Sequence, residues 1–170
     1  MLFWFIRPIR LLTSVLKANA STRQIAFGVA LGMLLGLVPK GNLFAVGIAT
    51  LVFASRVHLG AAVLSSISFS WVGLLLDPLS HWLGSALLTS PPLQPLFVRL
   101  YELPFAPWTQ FNNTVVCGSL LIGLLSCYPT YRLAHWCSRR YTPIAAAKLK
   151  RYRFYQVLFG TDLLTSWRAR

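Results

Sequence analysis

The stretch GVALGMLLGLVPKGN, residues 28–42, sets the strongest constraint on the fold. Gly28, Gly32 and Gly36 stand four apart in an apolar run, and the run stops at Pro39, Lys40, Gly41 and Asn42. Residues four apart share one face of a helix. The three glycines therefore cut a groove that a second helix can approach closely, as in small-xxx-small packing of membrane helices. Pro39 ends the helix because it lacks an N–H donor and restricts the residue before it. Gly41 gives the turn its backbone freedom. The runs Gln24 to Val38 and Leu43 to Ala54 each fall short of the roughly 20 apolar residues that a simple transmembrane helix needs. Together they predict a helical hairpin over 24–54, with Arg23 and Arg56 at its two ends. Ala45 and Ala49 repeat the four-residue spacing on the returning helix and are the expected occupants of the glycine groove. Irregular backbone at membrane depth is tolerated only where protein buries it or water reaches it. The tip is thus either a packed structural turn or part of a polar cavity, from which Lys40 would snorkel to headgroups or water.

Composition decides the solvent. Of the 170 residues, 56% are hydrophobic and 11% charged, against about 25% charged in a soluble domain. Too little polar surface is left to cover a globule in water. Sixteen Lys and Arg against three acids give a formal charge of +13. Arg7, Arg10, Lys17 and Arg23 precede the first long apolar run, and eight basic residues follow from Arg139 onward. Basic flanks around apolar spans follow the positive-inside rule. Both termini are then cytoplasmic and the number of full crossings is even. Nucleic acid is not an expected partner, since a nucleic-acid binder of this charge would not be this hydrophobic.

The second half of the membrane region echoes the first. Ala61 to Leu76 is apolar and rich in small residues, stops at Asp77-Pro78, and resumes from Leu79 to Leu88 with His81, Trp82 and Gly84. This predicts a second, broken hairpin over 60–88. Paired segments interrupted by Pro or Gly point towards a transporter-like site. Asp77 either caps the helix after Pro78 at the outer interface, or pairs with Lys40 and closes the two breaks on one polar site. An intramembrane carboxylate is expensive and faces a partner or water. Asp77 and His81, four apart, would share a helical face. The candidate polar site is therefore Lys40, Asp77, His81 and Arg56.

Five prolines, from Pro91 to Pro107, punctuate 89–112, which reads as an outer loop with a short interfacial helix around Arg99 and Glu102. Asn112 or Asn113 caps the next helix, with Thr114 at its start. The span 113–136 is the best full crossing, kinked at Pro129. Residues 1–20 read as an N-terminal interfacial helix, too interrupted by Arg7, Pro8 and Arg10 for a signal-peptide core. Residues 139–170 read as a basic tail whose Arg139–Arg153 region meets anionic headgroups. Cys117, Cys127 and Cys137 are ten apart, share no helical face, and form no metal-ligand spacing. No hydrolase, metalloprotease, P-loop or dinucleotide motif occurs, so no catalytic residue, metal or cofactor is expected. The expected fold is all-α and integral to the membrane. Short broken or re-entrant hairpins join at least one full span, flanked by interfacial amphipathic helices.

Four blocks, GVALGMLLGLVPKGN, RVHLGAAVLS, LLDPLSHWLG and FNNTVVCGS, lie in this order within residues 20–142. They resemble the signature blocks of a bacterial membrane-protein family, the domain of unknown function 2062 group. More narrowly they resemble its subfamily of small proteins from bacteria with outer membranes. The resemblance implies the inner membrane as the location and a larger envelope protein, often encoded alongside, as a partner. It supplies no catalytic residues. Two roles follow as expectations: an accessory or docking protein that assists lipid transfer to such a partner, or a small homo-oligomeric transporter or channel built on Lys40 and Asp77.

Overall fold

The computed structural model describes residues 21–151, with side chains through residue 141. The N-terminal interfacial helix and the tail beyond residue 151 lie outside the described residues. Among the described residues the chain is all-helical. The helices are α1 (Thr22–Leu37), α2 (Leu43–Ala54), α3 (Leu59–Leu88), α4 (Gln94–Tyr101), α5 (Ala106–Thr109) and α6 (Thr114–Arg151). By length and composition α3 and α6 can cross a membrane. At 1.5 Å per residue the 30 residues of α3 reach about 45 Å.

The starts of α1 and α3 are fixed locally. Ser21 and Gln24 form a capping box on α1, with the Ser21 hydroxyl accepting from Gln24 N (3.2 Å) and Gln24 Oε1 accepting from Ser21 N (3.1 Å). His58 caps α3, its Nδ1 accepting from Ala61 N at 3.2 Å. Its backbone N–H donates to Gln24 O at 3.1 Å, which ties the starts of α1 and α3 together.

The glycine groove of α1 receives α3, not the neighbouring α2. A Cβ at Gly28 would lie 2.8 Å from His58 O, and one at Gly36 2.7 Å from Ser66 O. One at Gly32 would run into the Ala62 carbonyl. The two helices are parallel, and Ser65 Oγ crosses between them to Val29 O at 2.8 Å. Helix α3 wins the groove because it presents buried Gly60, Ala61, Ala62, Ser65 and Gly73 along one side. Helix α2 buries only Ala45 and Val52.

A second close crossing joins α3 to the antiparallel α6. A Cβ on Gly84 would overlap Thr114 O, and one on Gly118 would overlap Ser80 O. Ser80–Gly84 and Thr114–Gly118 are thus two small-xxx-small pairs laid across each other. Further along, α6 packs on α1, where the Phe27 and Tyr131 rings lie 4.5 Å apart and Thr130 Oγ1 donates to Met33 Sδ at 3.1 Å.

The broken second hairpin does not form. Pro78 lies inside the continuous α3, which runs unbroken from Leu59 to Leu88. A proline in a helix interior costs about 3 kcal/mol in isolation. Here the helix is held on both sides of it. Before Pro78, Gly73 faces Leu37, whose Cα would lie 3.5 Å from a Cβ added at the glycine, and after it Ser80 and Gly84 pack on α6. Nor does α6 stop at residue 136 or 138. It continues through Pro129 and Arg139-Arg140 to Arg151.

These crossings predict which glycines matter. Gly84→Ala or Gly118→Ala forces two backbones apart and should lower stability by about 1–3 kcal/mol. Gly47→Ala, on α2 with nothing within 4 Å of its would-be Cβ, should leave stability unchanged or raise it slightly. Thermal unfolding of the purified variants checks this, and equal melting temperatures across the three would contradict it.

Candidate functional site

The Pro39–Asn42 tip is a closed hydrogen-bonded turn. Lys40 folds back over the end of α1. Its Nζ donates to Leu35 O (2.7 Å), Gly36 O (3.1 Å) and Val38 O (3.0 Å), and reaches Ser70 Oγ on α3 at 3.4 Å. The last carbonyls of a helix have no intrahelical partner and carry partial negative charge. The ammonium satisfies three of them at once. Gly41 takes a left-handed φ of +94°. Asn42 is 2% exposed. Its Nδ2 donates to Pro39 O and its Oδ1 accepts from Ala45 N, both at 2.8 Å, so one side chain closes the turn and caps α2.

Asp77 does not pair with Lys40, whose partners are the carbonyls and Ser70. The two residues do line one cavity of about 440 Å³, together with Ser70, Gly73, Pro39 and Asn113. Asp77 is not a helix cap either, since α3 continues past it. His81 turns away from Asp77 to α6, with Nδ1 2.7 Å from Thr114 Oγ1. Thr114 therefore does more than open the helix. Of the two asparagines, Asn113 is the cap, its Oδ1 accepting from Val115 N at 2.9 Å and Val116 N at 3.4 Å. Asn112 is exposed, and Arg56 lies exposed in the α2–α3 turn, at the other end of α3 from this cavity. Lys40, Asp77 and Asn113 thus come together, while His81 makes its bond elsewhere and Arg56 is remote.

Two further cavities sit at opposite ends of the bundle. At the end formed by α4 and α5, Phe111 stacks with Phe97 (ring centroids 6.0 Å) and meets Tyr101 edge-on (6.1 Å). Phe97 and Phe111 wall an almost wholly apolar cavity of about 640 Å³ that also touches Phe44 of α2, Leu103, Phe105 and Leu120. At the other end, where α1 and α3 start, a cavity of about 630 Å³ is lined by Arg23 of α1 and by Arg132, His135, Trp136 and Arg139 of α6. Phe27 and Tyr131 complete its wall. Among the described residues no three His, Cys, Asp or Glu side chains are grouped to hold a metal. Cys117, Cys127 and Cys137 are free thiols, each half-buried.

Sequence reasoning missed Ser21, Asn42 and His58 as caps, although Ser21-x-x-Gln24 is a legible capping box. It also missed the Ser80–Gly84 and Thr114–Gly118 pairs. Their spacing is the same four residues that exposed the α1 glycines.

The roles predict opposite outcomes for two substitutions. Asn42→Ala strips partners from Ala45 N–H and Pro39 C=O and should cost about 1–2 kcal/mol. Asp77→Asn should change stability by less than about 0.5 kcal/mol. Chemical or thermal unfolding in detergent separates them, and a large loss for Asp77→Asn would restore a structural partner for the carboxylate.

No solved structure matches the chain. It is similar to an uncharacterized protein of Treponema pallidum (strain Nichols), 34% identical over 129 residues that make up 76% of this chain and 80% of the relative. Residues 7–145, which hold the glycine groove, the capped turn and both close helix crossings, match the family described as "Uncharacterized protein conserved in bacteria (DUF2062)", and the chain belongs to that family.

Proposed function

We propose that the protein is a small multi-pass component of the bacterial inner membrane. It docks to a larger cell-envelope protein and eases the passage of lipid towards it. The carrying observation is the mismatch within the bundle. Helices α3 and α6 can span a bilayer, but α1 and α2 have 16 and 12 residues, about 24 and 18 Å. Both fall short of a hydrocarbon core of about 30 Å. Bilayer beside such a re-entrant hairpin would thin, at a cost of fractions of a kcal/mol per Å.

Exposure supports a membrane setting. Only 28% of the apolar window of α3 and 22% of that of α6 is buried, so neither serves as the core helix of a water-soluble domain. Trp71, Leu75, Leu125 and Tyr128 stand outward on these helices. Such a surface suits lipid or another apolar partner. Arg23, Arg56, Arg132 and Arg139 lie towards the end where α1 and α3 start, which favours that end as cytoplasmic. Helix α2 buries only Ala45 and Val52 and leaves Val46, Leu51 and Phe53 exposed, which suits it to contact a partner helix. The apolar cavity beneath the Phe97–Phe111 cluster, at the opposite end, is of a size that ligand sites commonly have.

A second reading rests on the cavity that holds both Lys40 and Asp77. In this reading a homo-oligomer would carry a small solute past Asp77, because one copy packs its helices backbone to backbone and leaves no conduit at the crossings.

Co-purification from native membranes in lipid-preserving particles tests these readings. Mass spectrometry should find a larger envelope protein in stoichiometric amount and lipid enriched over the bulk membrane. A partner-free homo-oligomer without enriched lipid, whose solute flux falls on Asp77→Asn, would replace the first reading with the second. Recovery in the soluble fraction would remove both.

A further inference from the structure

The basic cavity at the α1 N-terminal end is unused by the docking and lipid-passage role. We propose that it is a specific site for the phosphate of an anionic glycerophospholipid of the cytoplasmic leaflet. This rests on the membrane placement above but not on the docking partner.

Three guanidinium groups line the cavity, two from one face of α6 and one from the first turn of α1. Arg132 and Arg139 are seven apart, two helical turns, with His135 and Trp136 between them on the same side. Arg23 enters from the antiparallel helix, where the N-terminal dipole of α1 adds positive potential. Like charges converge here, and among the described residues no carboxylate lines the cavity to balance them. The whole sequence has three acids against sixteen Lys and Arg. Of those three, Asp77 lines a cavity at the far end of α1, Glu102 lies beyond α4, and Asp162 lies outside the described residues. Among the described residues the three arginines share the cavity without a carboxylate, a lining that suits an anion.

The shape of the site narrows the anion. Guanidinium presents a planar fork of donors that matches phosphate oxygens in pairs. The floor is apolar and aromatic, formed by the Phe27–Tyr131 contact, with His135 6.0 Å from the Tyr131 ring. Trp136 is half-exposed at the rim, where an indole suits the headgroup level of a bilayer. A free phosphate would use the arginines and leave the aromatic floor empty. A lipid uses both, placing its phosphate among the guanidinium groups and its glycerol and first methylenes on the rings. Basic pockets between helices on the cytoplasmic side are of the kind that hold anionic headgroups.

Native mass spectrometry of the delipidated protein, titrated with phosphatidylglycerol or phosphatidylcholine, tests the assignment. The wild type should bind phosphatidylglycerol at least about tenfold more tightly. Arg132→Gln with Arg139→Gln should remove that preference, at about fivefold per arginine. Arg56→Gln with Arg99→Gln removes the same charge outside the cavity and should leave the preference within about twofold. Both pairs of arginines are exposed, so the folded state should survive, and the melting temperature verifies it. Equal loss in the two double variants would reduce the effect to general attraction and overturn the site. Inorganic phosphate raising the melting temperature as much as the lipid does would assign the cavity to a soluble anion and overturn the lipid. A protein that inserts into vesicles of phosphatidylglycerol and phosphatidylcholine yet shows no headgroup preference defeats this proposal alone. Failure to insert defeats the membrane reading as well.

Discussion

Everything in this bundle depends on α3 being approached to backbone distance from two sides. Small residues on α1 face its first half, and Thr114 and Gly118 of α6 face its second half. In an apolar solvent, burying side chains on one another gives little net drive, because lipid is as apolar as leucine. What remains is close van der Waals contact, in which each atom pair contributes about 0.1–0.2 kcal/mol, and that contact needs helices without intervening Cβ atoms. Gly32, Gly84 and Gly118 supply it where an alanine would already collide with a facing carbonyl. The same grip explains why Pro78 neither ends nor splits the helix. Contacts on both flanks fix the axis that the missing hydrogen bond would have helped to fix.

A half-length hairpin creates a second problem, which the tip residues solve. Helix α1 ends at Leu37 beside the interior of α3, far from either end of that helix, and its last carbonyls need partners there. Lys40 supplies three donors for three carbonyls, and Asn42 closes the turn from the other side. The lysine belongs to the turn first and to the cavity second. Its charge is spread over helix-end dipoles rather than committed to Asp77. This leaves Asp77 the less constrained member of the pair and the group more available to a visitor.

The local features were legible in the sequence and the partners of those features were not. The glycine spacing announced a groove, and Pro39 and Gly41 announced a turn, because each acts through its own backbone. Which helix fills the groove depends on a comparison between Ala45–Val52 of α2 and Ala61–Gly73 of α3, and single-segment periodicity does not make that comparison. Adjacency in sequence favoured α2, yet the longer small-residue face prevailed. Asp77-Pro78 misled for a related reason, since a proline's local penalty was weighed without the contacts on either side of it. Asn42 was visible as a polar residue ahead of an apolar run. Its dual role follows only from Pro39 O lying within reach once the turn has formed.

Charge distribution then links packing to placement. In a tight bundle whose crossings exclude all but the smallest side chains, arginines have no place at the contacts and take exposed positions away from them. Here the parallel arrangement of α1 and α3 with the antiparallel α6 brings Arg23 together with Arg132 and Arg139. Had α1 filled its own hairpin and α3 been broken at Pro78, these side chains would not be bound to meet. The convergence of basic residues is thus a consequence of the glycine contacts. Those contacts leave one end rich in arginines and the other walled by Phe97, Phe111 and their neighbours. The same packing that brings the helices to backbone distance thus divides the chain, leaving it apolar around its middle and basic at one end.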